Sequence, residues 1–345
     1  MLKTIFHFVA LLLIWSVGSK YLLLLSVILT FLRFRQQVYE KHQIVPSQTM
    51  NYHFVTLLWT VFLTQVESDE GDGLSPMGTA LNTTTLTDSL DEVFEDYFVW
   101  KLKTYPEWAT SEHIRGYNNL VEDFSMEAIR NKVEKCREFY DRSRKLIPKD
   151  SDYKIYQKIL EDEILPCINN FHLKSYLFPP VNIMENIAVL YPELITKTDL
   201  DSLRDYQDML ERLNKLPRQL DQILELLRMG LKEGVIFAKE SLQGVDEKFE
   251  KLQVPVNESI FYSRFRDMSG SLGRHVVDRI QTSAYNLTEN GILPKFRVLQ
   301  EFLRYEYSPK LRQTPGISTI PNGEEFYRAN LQFHLGSDIS PQEVI

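Results

Sequence analysis

Four histidines beyond residue 88 are the side chains best suited to hold a catalytic metal ion: His113, His172, His275 and His334. A hydrolytic zinc site commonly takes two histidines from one helix, one turn apart, with a glutamate that activates water. None of the four has a second histidine four residues later, and the sequence contains neither H-E-x-x-H nor H-x-x-E-H. No local motif therefore predicts a catalytic residue, a metal ligand or a bound cofactor. A site assembled from histidines far apart in sequence stays an alternative.

Patterns for a nucleophile, a phosphate loop and nucleic-acid binding are also missing from the sequence. The stretch SGSLG at 269–273 differs from the G-x-S-x-G of hydrolases, and no glycine-rich loop fits a phosphate group. The 39 lysines and arginines are interleaved with 47 acidic residues, which gives a formal net charge of −8. An acidic chain without a basic stripe is not expected to bind nucleic acid.

The elements that must position any site are predicted to be helices. From residue 89 onward apolar residues recur at helical spacing, and Ser125 stands where a helix N-cap is expected. Thr198 and Asp201 form a capping box, and Pro217 fits the first turn of the following helix.

One segment near the carboxyl end departs from this helical pattern. From residue 327 to 335 apolar and polar residues alternate, which is typical of a half-buried strand, and IPNGEE before it supplies a turn. The predicted fold class is therefore mainly α, a multi-helix array with a short β-strand or hairpin near the C-terminus.

The two cysteines, Cys136 and Cys167, are too few for a disulfide scaffold. If 125–147 and 151–174 form a helical hairpin, one cysteine lies about 20 Å and the other about 27 Å from the turn, at ~1.5 Å per residue. A disulfide needs Cα atoms within about 7 Å, so an ideal hairpin leaves the pair offset. A kink at Pro166 would close the gap. The sequence leaves this pairing open.

The amino end, 1–66, is hydrophobic and has two interpretations. An apolar run at 5–32 is broken only by Gly18, Ser19 and Lys20, and a shorter run follows at 54–66. In the first interpretation Met50 is the start and the shorter run is a signal peptide. In the second, the whole amino end is a membrane anchor. Both predict a secreted or membrane-anchored protein whose body faces the lumen or exterior, with the membrane contacted through the amino end.

The rest of the chain divides into a linker and one domain. Residues 67–88 are acidic and then rich in serine, threonine and glycine, which predicts a flexible linker before a helical domain at 89–345. Three N-x-S/T sequons, at Asn82, Asn257 and Asn286, are predicted glycosylation sites in a lumen-facing body.

Three phrases in this domain resemble the domain-of-unknown-function family 885. The stretch 97–125 has the family's P..AT..G phrase, 198–239 has its central-helix pattern, and 302–344 has its G...lp.G..yY...l..h phrase. The matching residues are Pro106, Ala109, Thr110 and Gly116; Leu213, Pro217, Leu220, Asp221, Gln222, Gly230 and Gly234; and Gly316, Ile320, Pro321, Gly323, Phe326, Tyr327 and His334. The resemblance covers about 90–345.

The resemblance implies a mostly helical, zinc metallopeptidase-like fold. The family's metal helix, of the type H-E-x-x-x-G-H-H, is expected downstream of the last phrase, and this sequence contains no such motif. No family ligand is therefore assigned to any residue, and zinc is expected only for the full-length family fold. The chain closes on SDISPQEVI, a capped helix start, which leads to the expectation of an amino-terminal part, truncated relative to the full fold.

Two functions remain in view at this point. The first is an incomplete secreted or membrane-anchored metallopeptidase-like protein without hydrolase activity, for which a peptide is the substrate only if a complete enzyme exists. The second is a non-catalytic helical extracellular glycoprotein that acts as a binding or scaffold module. Because edge strands in helical metallopeptidases pair with extended peptides, the predicted strand is a candidate substrate-lining strand, with residues Tyr327, Arg328, Asn330, Gln332 and His334.

Overall fold

The computed structural model describes residues 89–268 and 273–335, together with residues 340 and 343, and helices dominate it. The hydrophobic amino end, the linker at 67–88 and Asn82 lie outside the described residues. Within the described ranges, none of the helices combines the length and the apolar character needed to cross a bilayer. The prediction of a mainly α fold is confirmed.

The described helices are numbered here in chain order. They are α1 Leu90–Thr104, α2 Pro106–Ser111, α3 Met126–Lys145, α4 Ser151–His172, α5 Ile187–Lys197, α6 Leu203–Glu233, α7 Val245–Glu250, α8 Ile260–Arg266, α9 Arg274–Leu287, α10 Leu293–Glu301 and α11 Gly323–Leu335. Two π-helical segments, Thr288–Ile292 and Phe302–Tyr307, continue α9 and α10 into one long helical stretch. Short 3₁₀ turns occur at Ser175–Leu177, Lys239–Leu242, Val256–Glu258, Ser308–Lys310 and Ile317–Thr319.

Side-chain caps start the helices of the amino-terminal half. The Ser125 side chain accepts from the Ala128 N–H and begins α3, as the sequence predicts. The Asp150 side chain accepts from the Tyr153 N–H and begins α4. With α1 these two helices bury a cluster that includes Phe139 and Ile164. The hairpin of α3 and α4 thus packs with α1 around a small core of its own.

The helix α6 runs through the position where the sequence predicted a break. Its N-cap is Ser202, not Thr198, and it continues past Pro217 to Gly234, which ends it in the left-handed conformation at φ 74°. Proline in a helix interior removes a backbone hydrogen bond and costs about 3 kcal/mol. A continuous buried stripe on both sides of Pro217 outweighs that cost; it consists of Met209, Leu213, Leu216, Leu220, Ile223 and Leu227.

The largest core surrounds this stripe. Side chains from α5, α7, α8, α9 and α10 pack against α6, and the largest fully buried ones include Tyr191, Phe249, Phe265, Phe296 and Tyr307. A smaller cluster of Ile129, Leu177, Leu226 and Val235 joins α3 to α6. Helix α6 therefore connects the large core with the hairpin of α3 and α4.

The predicted strand or hairpin near the C-terminus is wrong, because residues 323–335 form helix α11. Glu324 and Glu325 occupy the first turn, where negative charge is favourable. The alternation does not mark a buried face, since Tyr327 and Phe333 stay exposed. Among the described residues there are only isolated bridges and no strand for this segment to pair with, so a helix is what satisfies its backbone.

Candidate functional site

A cleft of about 800 Å³ opens between α2, α5 and the hairpin of α3 and α4. The 3₁₀ turn Ser175–Leu177 and the loop that follows it close one side. Much of the wall is aromatic, formed by Tyr105, Trp108, Phe124, Phe171, Tyr176 and Phe178. A concave site with apolar walls and a few polar groups is the usual form of a ligand site.

A second cavity extends this cleft along α5. It has a volume of about 480 Å³ and is bordered by α5 and by the segment from α7 to α8. The two cavities share Val189, Glu193 and Lys248. The two cavities therefore lie next to each other along α5, and we call the pair the α5 groove.

A carboxylate and an ammonium group meet inside the cleft. The Lys132 Nζ donates to Glu122 Oε1 over 2.7 Å, and their side chains are 16% and 18% exposed. The same Nζ lies 4.5 Å from the centroid of the Tyr105 ring. Burial raises the pKa of Glu122, the Lys132 ammonium opposes that rise, and the charges of Glu107 and Glu185 add to it. Burial opposes the charged form of Lys132, but Glu122 and Tyr105 outweigh it and raise its pKa.

A second carboxylate, Glu107 on α2, is 7% exposed and accepts hydrogen bonds from several donors. Its Oε1 accepts from Gln219 Nε2 at 2.8 Å and from the Tyr191 hydroxyl at 3.2 Å. Its Oε2 accepts from the Glu122 backbone N–H at 3.0 Å. These bonds tie α2, α5 and α6 to the loop that carries Glu122, and so they fix where the cleft carboxylate stands.

Arg212 of α6 is 1% exposed and binds the backbone of the loop that carries Glu122. Its guanidinium donates to the carbonyl oxygens of Leu120, Tyr117 and Pro106 at 2.7, 2.8 and 3.2 Å. One side chain thus donates to three backbone carbonyls, two of which also accept elsewhere, Pro106 from Thr110 Oγ1 and Tyr117 from the Leu120 N–H. The network around Glu107 and Arg212 is called the α6 clamp below.

The loop at the mouth of the cleft presents apolar side chains to solvent. Asn182 accepts from the N–H groups of Met184 and Glu185, which shapes a tight turn. Met184 is 86% exposed at its tip. Asn186, which caps α5 through Oδ1, is 6% exposed, and its Nδ2 has no hydrogen-bond partner among the described residues. The loop thus combines an exposed apolar tip with a buried, unpaired amide group.

Across the described part of the chain, the possible ligands are not grouped as a zinc site needs. No three histidine, cysteine, aspartate or glutamate side chains come together as ligands in the parts of the chain that the structure describes. His172 instead contacts Arg137 through Nε2 at 3.2 Å, and His113 lies in a turn with φ 57°. The described residues thus hold no metal ligands in the arrangement that a zinc ion requires.

The predicted substrate-lining residues lie away from the α5 groove, on α11. Tyr327 and Arg328 are exposed there. Asn330, Gln332 and His334 border a separate cavity of about 180 Å³ between α11 and α4. Asn330 donates to the Phe326 carbonyl within its own helix. These residues do not offer a backbone edge to a peptide, so the proposed strand pairing is wrong.

The remaining predicted sites have a place in the structure. Cys136 and Cys167 form a disulfide, with their Cα atoms 6.4 Å apart. The pair is therefore not offset as an ideal hairpin would leave it, and the connection from α3 to α4 is extended at Leu146 and Asp150. Cys167 also borders the cleft. Asn257 and Asn286 are exposed, and their glycosylation stays a prediction.

Sequence reasoning missed the residues that line the cleft. Glu107 and Glu122 are 15 positions apart, and Lys132 and Asn186 come from other elements, so no spacing along the chain brings them together. One signal was available. Glu107 follows Pro106, the first residue of the P..AT..G phrase. The phrase therefore falls on α2, the helix whose carboxylate accepts several hydrogen bonds at the cleft.

The sequence matches the model of a known family over residues 106–345, which is more than half of the chain. That family is DUF885, described as a bacterial protein of unknown function. The chain belongs to this family. The resemblance drawn from the three phrases is thereby confirmed as to the family, and the metallopeptidase-like label is taken up below. No curated protein matches the chain.

A solved structure resembles this one. It is described as that of a "putative lipoprotein" from Colwellia psychrerythraea, with a TM-score of 0.58 and 14% sequence identity. The match covers 75% of this chain and 48% of that chain, so the present chain spans about half the length of the solved structure. At this identity the likeness shows a shared fold for this DUF885 chain.

Proposed function

We propose that this DUF885 chain is a metallopeptidase-like protein that binds an extended peptide in the α5 groove and does not itself hydrolyse it. The observation that carries the proposal is that the two cavities lie side by side along α5, with Val189, Glu193 and Lys248 bordering both. An extended peptide rises about 3.3 Å per residue, so a groove running along α5 suits several residues in a row. The aromatic wall suits apolar side chains.

The resemblance to zinc metallopeptidases supports a peptide over other elongated ligands. The acidic surface and the lack of a basic stripe argue against nucleic acid. The proposal keeps to binding because the sequence contains neither H-E-x-x-H nor H-x-x-E-H. The α5 groove supports the second function considered from the sequence, a binding or scaffold module. A peptide is the proposed ligand of that module.

The binding function is tested with the full 345-residue chain and fluorescent pentapeptides of alanine and phenylalanine. We expect saturable binding measured by anisotropy. Val189→Trp fills the groove where the two cavities meet and should weaken binding about tenfold or more. Val298→Trp is the matched control, because Val298 is exposed on α10, outside both cavities. The proposal fails if no peptide binds, or if both variants bind like the parent protein.

Hydrolysis is followed on the same peptides by chromatography, with zinc added and with a chelator. We expect intact peptide in both samples. Zinc-dependent cleavage that the chelator abolishes, at a rate proportional to the amount of this chain, would contradict the non-hydrolytic part of the proposal.

We also propose that the protein is secreted or anchored to the membrane by its amino end. The apolar runs before residue 67, the exposed sequons Asn257 and Asn286, and the Cys136–Cys167 disulfide support this, because disulfides persist in oxidising compartments. Mass spectrometry of unreduced peptides from the expressed protein should find the two cysteines linked and glycan on at least one sequon. Free thiols and unmodified asparagines would contradict it.

A further inference from the structure

Helix α5 has a proline in its interior, on the face that borders the second cavity of the α5 groove. Pro192 lies inside the helix Ile187–Lys197, and Ala188 stands one turn before it. Both residues border the second cavity, as do their neighbours Val189 and Glu193. Residues four positions apart lie on the same face of a helix, so one face of α5 is turned toward this cavity along a full turn.

The proline leaves the Ala188 carbonyl without its helical donor. An α-helix pairs each carbonyl with the N–H four residues later, and Pro192 has no N–H. The Tyr191 N–H, three residues after Ala188, can offer only the poorer bond of a 3₁₀ turn. Among the described residues, no side chain and no N–H outside the helix donates to the Ala188 oxygen. The face of α5 that borders the cavity therefore has a backbone acceptor to spare.

The surroundings of this acceptor favour a ligand that brings an N–H group. The proline ring crowds the carbonyl four residues before it, which tilts that carbonyl away from the helix axis. Ala188 is 4% exposed, so bulk water has little access to it, and a desolvated carbonyl without a donor is costly. The cavity beside it has a volume of about 480 Å³. A donor that enters this cavity therefore gains a hydrogen bond that the helix itself does not make.

Two other described helices have an interior proline, and neither places a spare carbonyl in the α5 groove. Pro166 of α4 deprives the Asp162 carbonyl of its donor, and both residues border the separate cavity between α4 and α11. Pro217 of α6 does the same to Leu213, which is 1% exposed in the large core. Among the described helices, the interior proline of the groove is thus Pro192.

We infer that the α5 groove recognises the main chain of its peptide, with one backbone N–H of the ligand donating to the Ala188 carbonyl beside Pro192. The inference rests on the proposed peptide-binding function and names which peptides the groove accepts. Every residue except proline carries a backbone N–H, so this contact tolerates most side chains and excludes proline at one position of the ligand.

The first test methylates the backbone nitrogens of an alanine and phenylalanine pentapeptide, one position at a time. Each peptide is titrated calorimetrically into the full 345-residue chain. We expect N-methylation at one position to weaken binding about threefold to tenfold, because one hydrogen bond is lost, and proline at that position to weaken it as much. Equal affinity across the series overturns the inference and leaves the binding function standing. No binding of any peptide, the unmethylated one included, overturns both.

Two variants assign the acceptor. Pro192→Ala gives residue 192 an N–H that pairs with the Ala188 carbonyl inside the helix. We expect it to bind the unmethylated peptide about threefold to tenfold more weakly and to show no further loss with the methylated one. Pro217→Ala, outside both cavities, is the matched control and should keep the affinity and the methylation effect of the parent protein.

This pair of variants separates a lost hydrogen bond from other effects of the methyl group. A methyl group that acts by its bulk, or by changing the conformation of the free peptide, weakens binding to Pro192→Ala as much as to the parent protein, and that result overturns the inference. Equal behaviour of Pro192→Ala and Pro217→Ala overturns it as well. Circular dichroism checks that both variants fold, and the methylation series on the parent protein is decisive should one of them not fold.

Discussion

Two carboxylates stand 15 residues apart in this protein, and their surroundings differ. Glu107, in the α6 clamp, accepts only from neutral donors: an amide, a hydroxyl and a backbone N–H. Glu122, in the cleft, faces a lysine, and its side chain has no such donors among the contacts described. Glu107 is thus a buried polar group that stabilises the fold, whereas Glu122 is a carboxylate that a ligand in the cleft can contact. A carboxylate whose acceptors are filled by the chain itself holds the structure, whereas one beside an open cavity can exchange partners.

The clamp and the cleft are nevertheless connected. The Glu122 backbone N–H donates to Glu107 while the Glu122 side chain faces the cleft. Arg212 fixes the loop a few residues earlier, at Leu120. The clamp therefore positions the group that the cleft presents. Substitutions in the clamp should act on stability first, and substitutions in the cleft on ligand binding first.

The largest effect is expected for Arg212→Met. This change removes a guanidinium that is 1% exposed, that donates to three backbone carbonyls and that lies within electrostatic reach of Glu107, and it should lower the free energy of unfolding by about 3–5 kcal/mol. Urea unfolding followed by circular dichroism measures it. Arg218→Met on the same helix is the control, because Arg218 is largely exposed and its ion pair with Asp123 should contribute less than about 1 kcal/mol. Equal losses for both variants would show that the clamp has no special role.

A smaller and more discriminating effect is expected for the two carboxylates themselves. Glu107→Gln places an amide among donors and should cost about 2 kcal/mol of stability, since one buried donor loses its acceptor. Glu122→Gln should cost less than about 1 kcal/mol, because burial already disfavours the ionised form and the amide oxygen still accepts from Lys132.

Peptide binding should show the reverse order. We expect Glu122→Gln to weaken peptide binding at unchanged thermal stability, and Glu107→Gln to lower the melting temperature while the folded fraction still binds. Melting curves and calorimetric titrations on the same samples separate the two. Should Glu122→Gln destabilise the protein more than Glu107→Gln, the distinction between clamp and cleft would be lost.

Local signals in the sequence predicted some elements and failed at others for identifiable reasons. The Ser125 cap of α3 is local, and it was predicted correctly. The break at Pro217 was wrong because buried contacts on both sides of the proline outweigh its local cost. The strand at 327–335 was wrong because a period of two over nine residues says nothing about whether a partner strand exists. Failures of this kind arise wherever tertiary partners decide between local alternatives.

The sequence by itself determined the helical class, the family, the Ser125 cap of α3 and the lack of a local metal motif. These follow from side-chain periodicity, capping chemistry and motif spacing, which act over a few residues. Only the tertiary structure decided that Glu107 is held by α5 and α6, that Glu122 meets Lys132, and that two cavities lie side by side along α5. Those contacts join residues from 10 to 112 positions apart, and packing, not sequence spacing, sets them.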